Sequence, residues 1–157
     1  FLKKILHFLF ELRNVTEKER TSFLESLEDE KEKTKLDETL MIYIDRYEEA
    51  EKAKILGNIF KAYILKKISK DDFMKLCRSI DKAFLGDLVD MRDNEEFWRV
   101  GSDTKQNLIN VGFYEEHIEL KENHSGYNQF TDRKESMTYT TKIKSTKLGE
   151  LFYESSR

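Results

Sequence analysis

The sequence predicts a mainly α fold: an N-terminal bundle of four or five helices over residues 1–93, then a smaller unit over residues 94–157 that carries one β-hairpin and packs on the bundle. Three observations predict it. Apolar side chains recur at spacings of three and four through most of residues 1–93, the signature of helices with one buried face. The 157 residues contain no Pro, so nothing in the chain enforces helix breaks. After Gly112 the rhythm changes to period two, runs through two segments, and returns to helical spacing beyond Thr146.

The elements follow in order. Residues 1–13 place Leu2, Ile5, Leu6, Leu9 and Leu12 on one helical stripe widened by Phe1 and Phe8, which is expected to face the core. An interfacial membrane helix is the competing reading, because Lys3, Lys4 and Arg13 flank the apolar surface. Thr16 followed by Glu19 is a capping box that opens a helix with Phe23, Leu24 and Leu27. The mixed-charge run EDEKEKTK is expected to be a solvated helix end and joint before a helix with Leu36, Leu40, Tyr43, Ile44 and Tyr47. The next helix carries Ala53, Leu56, Phe60, Tyr63 and Ile64, and Gly57 in its middle is expected to admit a close helix neighbour. Ser69 caps a helix with Phe73, Leu76, Cys77, Ile80 and Phe84, which Gly86 ends or kinks before a short element with Leu88, Val89 and Met91. Phe97, Trp98 and Val100 lead into a turn at Gly101, and a helix over 103–111 is capped by Asp103 and stopped by Gly112. Two strands with Phe113–Leu120 and Tyr139–Lys144 then precede a last helix that starts at Ser145–Thr146 and carries Leu148, Leu151 and Phe152.

Composition narrows the function. Hydrophobic and charged residues each make up 38% of the chain, and 12% aromatics supply enough core mass to argue against disorder. The net charge of −3 and the pI near 5.8 are unlike a protein that coats nucleic acid, so any such contact needs a local patch. Cys77 is alone, which excludes an internal disulfide framework and a multi-cysteine zinc site, and it fits a reducing cytoplasm. The longest apolar run, Leu40 to Ile44, is far short of the ~20 residues that span a bilayer. The chain begins at Phe1 rather than Met and is expected to be a processed product or an excised fragment, from which an N-terminal anchor could be missing.

The motifs NLINVGFYEE and YTTKIKSTKLGELFYE carry a resemblance. Helix, Gly, aromatic, strand, polar loop, strand and short Gly-containing helix resemble the C-terminal part of a winged-helix domain, over roughly residues 70–155. In that family the helix before the first wing strand enters the major groove and the wing contacts phosphates. The resemblance therefore implies a recognition helix over 103–111 offering Lys105, Gln106, Asn107 and Asn110, and a wing offering Lys121, His124, Arg133 and Lys134. Asn and Gln can read adenine and Lys can reach guanine, so the residue types are admissible. From residue 101 onward, however, nine acids stand against eight bases, and Glu115, Glu116, Glu119 and Glu122 sit where phosphates would lie. The resemblance argues for a shape more than for a DNA-binding role, since such folds also serve protein contacts.

Other chemistry ranks lower. His117 shares a strand face with Glu115 and Glu119 and would need a third metal ligand from elsewhere. Glu119-Leu120-Lys121 has the acid-x-Lys form of metal-dependent nucleases but lacks an upstream acid at a strand start. Asp87, Asp90 and Asp93 share one helix face and read best as a solvent-facing acidic stripe. Cys77 reads as a small buried hydrophobe. The expectation is a non-enzymatic regulatory or protein-interaction domain of a larger cytoplasmic protein, with no cofactor and no metal. A bacterial or phage source is suggested by the Lys-, Ile- and Asn-rich, Pro-free composition. A protein partner or a second copy is the expected occupant of its surface. The alternatives are a DNA-binding winged helix and, third, a metal-dependent nuclease.

Overall fold

The computed structural model describes residues 1–27, 29–94, 100–122 and 137–157, with residues 120–122 and 137–139 described by backbone alone. Eight helices and one two-stranded antiparallel sheet are present among them: α1 Leu2–Glu11, α2 Glu17–Ser26, α3 Glu30–Arg46, α4 Ala50–Ile64, α5 Lys70–Lys82, α6 Leu85–Asp93, α7 Ser102–Asn110, β1 Tyr114–Glu122, β2 Met137–Ser145 and α8 Lys147–Ser155. The fold of this chain is therefore mainly α with a β-hairpin.

α4 is the axis. Ala53, Ile55, Leu56 and Ile59 are inaccessible to solvent, and the helix packs against α1, α2, α5 and α8. A helix apolar around most of its circumference has to be enclosed, and α4 is. Gly57 allows α1 to approach: a Cβ there would lie 2.7 Å from the Phe8 carbonyl oxygen and 3.0 Å from Glu11 Cβ. Rings lock the neighbouring helices to this axis. Tyr63 stacks on Phe73 of α5 at 5.0 Å and meets Phe23 of α2 edge-on at 5.0 Å, while Phe60 stacks on Phe8 of α1 at 5.7 Å.

The expected caps at Thr16 and Ser69 form, whereas that at Asp103 does not: the N-cap of α7 is Gly101, without a side-chain cap, and Asp103 lies inside the first turn. The Thr16 hydroxyl accepts from the Glu19 amide, and the Glu19 carboxylate accepts from both the Thr16 amide and its hydroxyl. Ser69 and Asp72 form the corresponding pair at α5. The two Thr16 donors hold the Glu19 carboxyl below its ordinary value, chiefly through the backbone amide. Because the folded-state value is depressed, the stability this carboxylate lends is complete above the unfolded glutamate range and is lost as pH falls through the folded value. We expect the difference in urea midpoint between wild type and Glu19→Gln to be constant near neutrality and to shrink on acidification. A difference independent of pH down to the acid limb would refute the coupling.

Four further sequence expectations are corrected. The charged run before residue 36 is not a joint: Asp29 accepts from the Glu32 amide, so Glu30 to Lys35 form the opening turns of α3. α5 does not reach Phe84, because Ala83 and Phe84 are both extended and separate it from α6; Phe84 is exposed and Gly86 lies inside α6. α1 is rotated from the expected stripe. The close approach at Gly57 turns Phe8 inward, leaves Ile5 and Leu12 half-buried, and exposes Leu2, Leu6 and Leu9. Finally, Asp87 does not belong to a solvent-facing stripe; it is buried and accepts from Asn107 Nδ2 at 2.9 Å. Phe97 and Trp98 lie outside the described residues.

The C-terminal unit closes on a knot of backbone contacts. Gly112 has φ +86°, the left-handed stop that ends the α7 segment, and the Phe113 amide donates back to the Leu108 carbonyl. Phe113 and Phe152 of α8 are fully buried with ring centres 4.8 Å apart. The Thr146 amide donates to the Phe113 carbonyl at 3.0 Å, and the Thr146 hydroxyl donates to the Gly112 carbonyl at 2.7 Å while accepting from the Gly149 amide at 3.1 Å. The strands pair from Tyr114↔Ser145 to Glu122↔Met137. Ser79 of α5 donates to the Val111 carbonyl at 2.7 Å, the Asn58 amide of α4 donates to the Ser156 carbonyl at 3.3 Å, and Arg157 donates to the Arg92 carbonyl at 3.1 Å, so this unit is fastened to the bundle at several places.

Candidate nucleic-acid interface and apolar groove

On α7 the four side chains nominated for DNA do not act together. Gln106 and Asn110 are exposed one turn apart, Lys105 is half-buried, and Asn107 is half-buried with its amide nitrogen committed to Asp87. Lys121 lies in β1, where the structure describes backbone alone, and His124, Arg133 and Lys134 lie outside the described residues. On the strands acids and bases pair with each other: Glu119 holds Lys142 at 2.7 Å, and Glu115 holds His117 at 2.8 Å. Lys144 and Lys147 are exposed, and Lys147 Nζ lies 3.8 Å from Asp72. Salt-dependent phosphate binding needs cations that are not already neutralised, and this face has few among the described residues.

Most of the metal and nuclease candidates have partners, although Asp90 is exposed and Lys121 is described by backbone alone. Glu115 and His117 pair with each other, Glu119 with Lys142, Asp87 with Asn107, and Asp93 with Arg92 at 2.8 Å. No group of three His, Cys, Asp or Glu side chains converges on one point among the described residues. Cys77 is fully buried, and burial pushes its thiol up to about 12. The thiolate is the reactive form, so Cys77 should react with an aromatic disulfide reagent at pH 8 only after denaturation. Stoichiometric labelling of the native protein within minutes would contradict this burial.

A different site emerges at the other end of the molecule. α1, α2, α3 and α4 leave between them a hollow of about 390 Å³ whose lining is almost wholly apolar. Phe8, Phe23, Leu40, Ile44, Phe60 and Ile64 form its floor, and Leu9, Leu24 and Met41 stand on its rim about half exposed. Two charged side chains of opposite sign also line it. Arg20 is held by donating from Nε and Nη2 to the Val15 carbonyl at 3.1 and 2.9 Å, and Asp37 is exposed with no partner among the described residues. Leu2 and Leu6 continue the rim along α1, 69% and 57% exposed.

The sequence contains the pieces of this site but not the site. The Leu2, Leu6 and Leu9 stripe is visible as periodicity, and periodicity alone assigns it to the core. Its exposure depends on the rotation of α1, which is set by a contact with Gly57 far along the chain. Lys4 adds a second constraint, donating to the carbonyls of Asp45 and Tyr47 at 2.7 Å each and so tying α1 to the end of α3. Among the described residues no helix is long and apolar enough to cross a membrane. Comparison with family models, curated proteins and solved structures finds no match to this chain.

Proposed function

We propose that this chain is a non-enzymatic protein-interaction or regulatory module, part of a larger cytoplasmic protein of bacterial or phage origin, and that it docks its partner in the apolar groove between α1, α2 and α3. One observation carries the reading: an apolar hollow opens to solvent and is continued by exposed Leu2, Leu6, Leu9, Leu24 and Met41. Contiguous exposed apolar surface is rare on monomers and marks contact sites, and a groove between helices suits the apolar face of another helix. A dye-labelled amphipathic helical peptide with Leu on one face and Glu and Lys on the other tests it. Saturable binding that Met41→Glu abolishes is expected. Absence of saturable binding in a chain that also stays monomeric would sink the reading.

A second reading, a DNA-binding winged helix, is favoured by the exposure of Gln106 and Asn110 one turn apart on α7. A gel-shift assay on generic duplex at low salt distinguishes it. Binding that weakens steeply with salt supports it, and no shift at low salt removes it.

A further inference from the structure

We infer that the occupant of the groove is a second copy of this chain, paired about a two-fold axis so that the α1 stripe of each copy fills the hollow of the other. The inference rests on the groove being a docking site, and three features select the occupant.

The first is shape. A two-fold interface uses one patch twice, so that patch has to contain both a projection and a recess. Here they are adjacent: Leu2, Leu6 and Leu9 project along α1 at helical spacing, and the hollow beside them is floored by Phe8, Phe23 and Leu40. A site built for a foreign helix requires only the recess. The exposed stripe on α1 would then have no occupant of its own.

The second is area. Leu2, Leu6, Leu9, Leu24 and Met41 are each between 46% and 69% exposed. Together they present on the order of 500 Å² of apolar surface, within the range of the largest patches that monomers leave bare. With half-buried Ile5 and Leu12 and the polar rim added, the patch approaches the ~800 Å² that each partner contributes to a standard interface.

The third is charge. Arg20 and Asp37 line the same groove with opposite signs. Under a two-fold operation Arg20 of one copy can face Asp37 of the other, twice, which makes the rim complementary to itself. A lipid surface is the competing occupant, since Lys3 on α1 and Arg13 just beyond it are exposed even though Lys4 is held by the carbonyls of Asp45 and Tyr47, and vesicle binding separates the two.

Sedimentation velocity over a concentration series reads the outcome. The wild-type chain should pass from monomer to dimer as concentration rises, and Leu6→Glu and Met41→Glu should each raise the dimer dissociation constant at least tenfold. Both positions are exposed, so thermal melts of the variants should match the wild type. The rim gives the sharper test. Asp37→Arg alone and Arg20→Asp alone each place like charges opposite one another twice, and each should weaken the dimer at least tenfold. An equimolar mixture of the two variants restores both opposite-sign contacts and should form a heterodimer. A wild-type chain that stays monomeric while the amphipathic peptide binds saturably overturns the inference and leaves the groove a docking site. A dimer insensitive to Leu6→Glu and Met41→Glu, or a mixture that fails to associate, overturns the two-fold pairing. Binding of a monomeric chain to anionic phosphatidylserine vesicles, lost in Leu6→Glu, assigns the stripe to membrane and overturns both.

Discussion

Replacing Gly149 with Ala is expected to destabilise the protein by about 3 kcal/mol or more, although it lies within α8 where Ala is the better helix former. Helix propensity favours Ala over Gly by ~1 kcal/mol, so the two effects have opposite signs. Packing decides. A Cβ on Gly149 would lie 2.1 Å from the Phe113 carbonyl oxygen and 3.0 Å from both the Phe113 carbonyl carbon and Ser145 Oγ. That oxygen is backbone and already accepts from the Thr146 amide, so it cannot swing aside as a flexible side chain would. Relief requires α8 to back away from β1, which separates Phe113 from Phe152 and breaks the Thr146 bonds. Urea denaturation should show a large fall in midpoint with little change in slope. The control is Gly86→Ala in α6, where an added Cβ meets nothing within 4 Å. That change should be neutral or stabilising by up to ~1 kcal/mol. Equal midpoints for the two variants would contradict the close contact.

The second large effect is expected at Phe73. It is fully buried on α5, stacked on Tyr63 at 5.0 Å and tilted against Phe60 at 5.6 Å. Truncation to Ala removes the ring and leaves a cavity that the rigid α4 axis cannot fill, at a cost of about 3–5 kcal/mol. For a domain whose whole stability is ~5–15 kcal/mol, that is at least about a fifth of it. Tyr63 loses its stacking partner, so the near-ultraviolet circular dichroism should change before the far-ultraviolet signal does. A loss under about 1 kcal/mol would mean that the rings do not pack as described.

The parts of this fold that are legible in the sequence are those governed by local chemistry. Thr16, Ser69 and Thr146 cap helices because a hydroxyl three residues before an amide reaches it without help from the rest of the chain. Gly112 is legible because few residues adopt its φ of +86°. The hairpin follows from its period. What escapes sequence reading depends on contacts between distant segments. Leu2, Leu6 and Leu9 have the spacing of a core stripe, and their exposure follows from Gly57 and Lys4 holding α1 in one rotation. α5 stops short of Phe84 although the apolar spacing continues, because the chain reorients to bury Leu88 and Met91. Asn107 carries the chemistry of a base reader, and its partner Asp87 is on another helix. The groove belongs to this second category entirely, since no single segment outlines a hollow shared by four helices.

The knot at Gly112, Phe113 and Thr146 has a consequence for how this chain can diversify. In most hairpins the turn sets which residues face each other, so a change in turn length slips the register. Here the alignment is imposed at the opposite end, where Thr146 grips the carbonyls of Gly112 and Phe113 and Tyr114 faces Ser145. The two strands are clamped at their root like the arms of tweezers. The register is thus set where α8 meets the sheet, so exposed paired positions farther along the strands, such as Ile118 opposite Thr141, can be exchanged while the bundle and its groove stay unchanged.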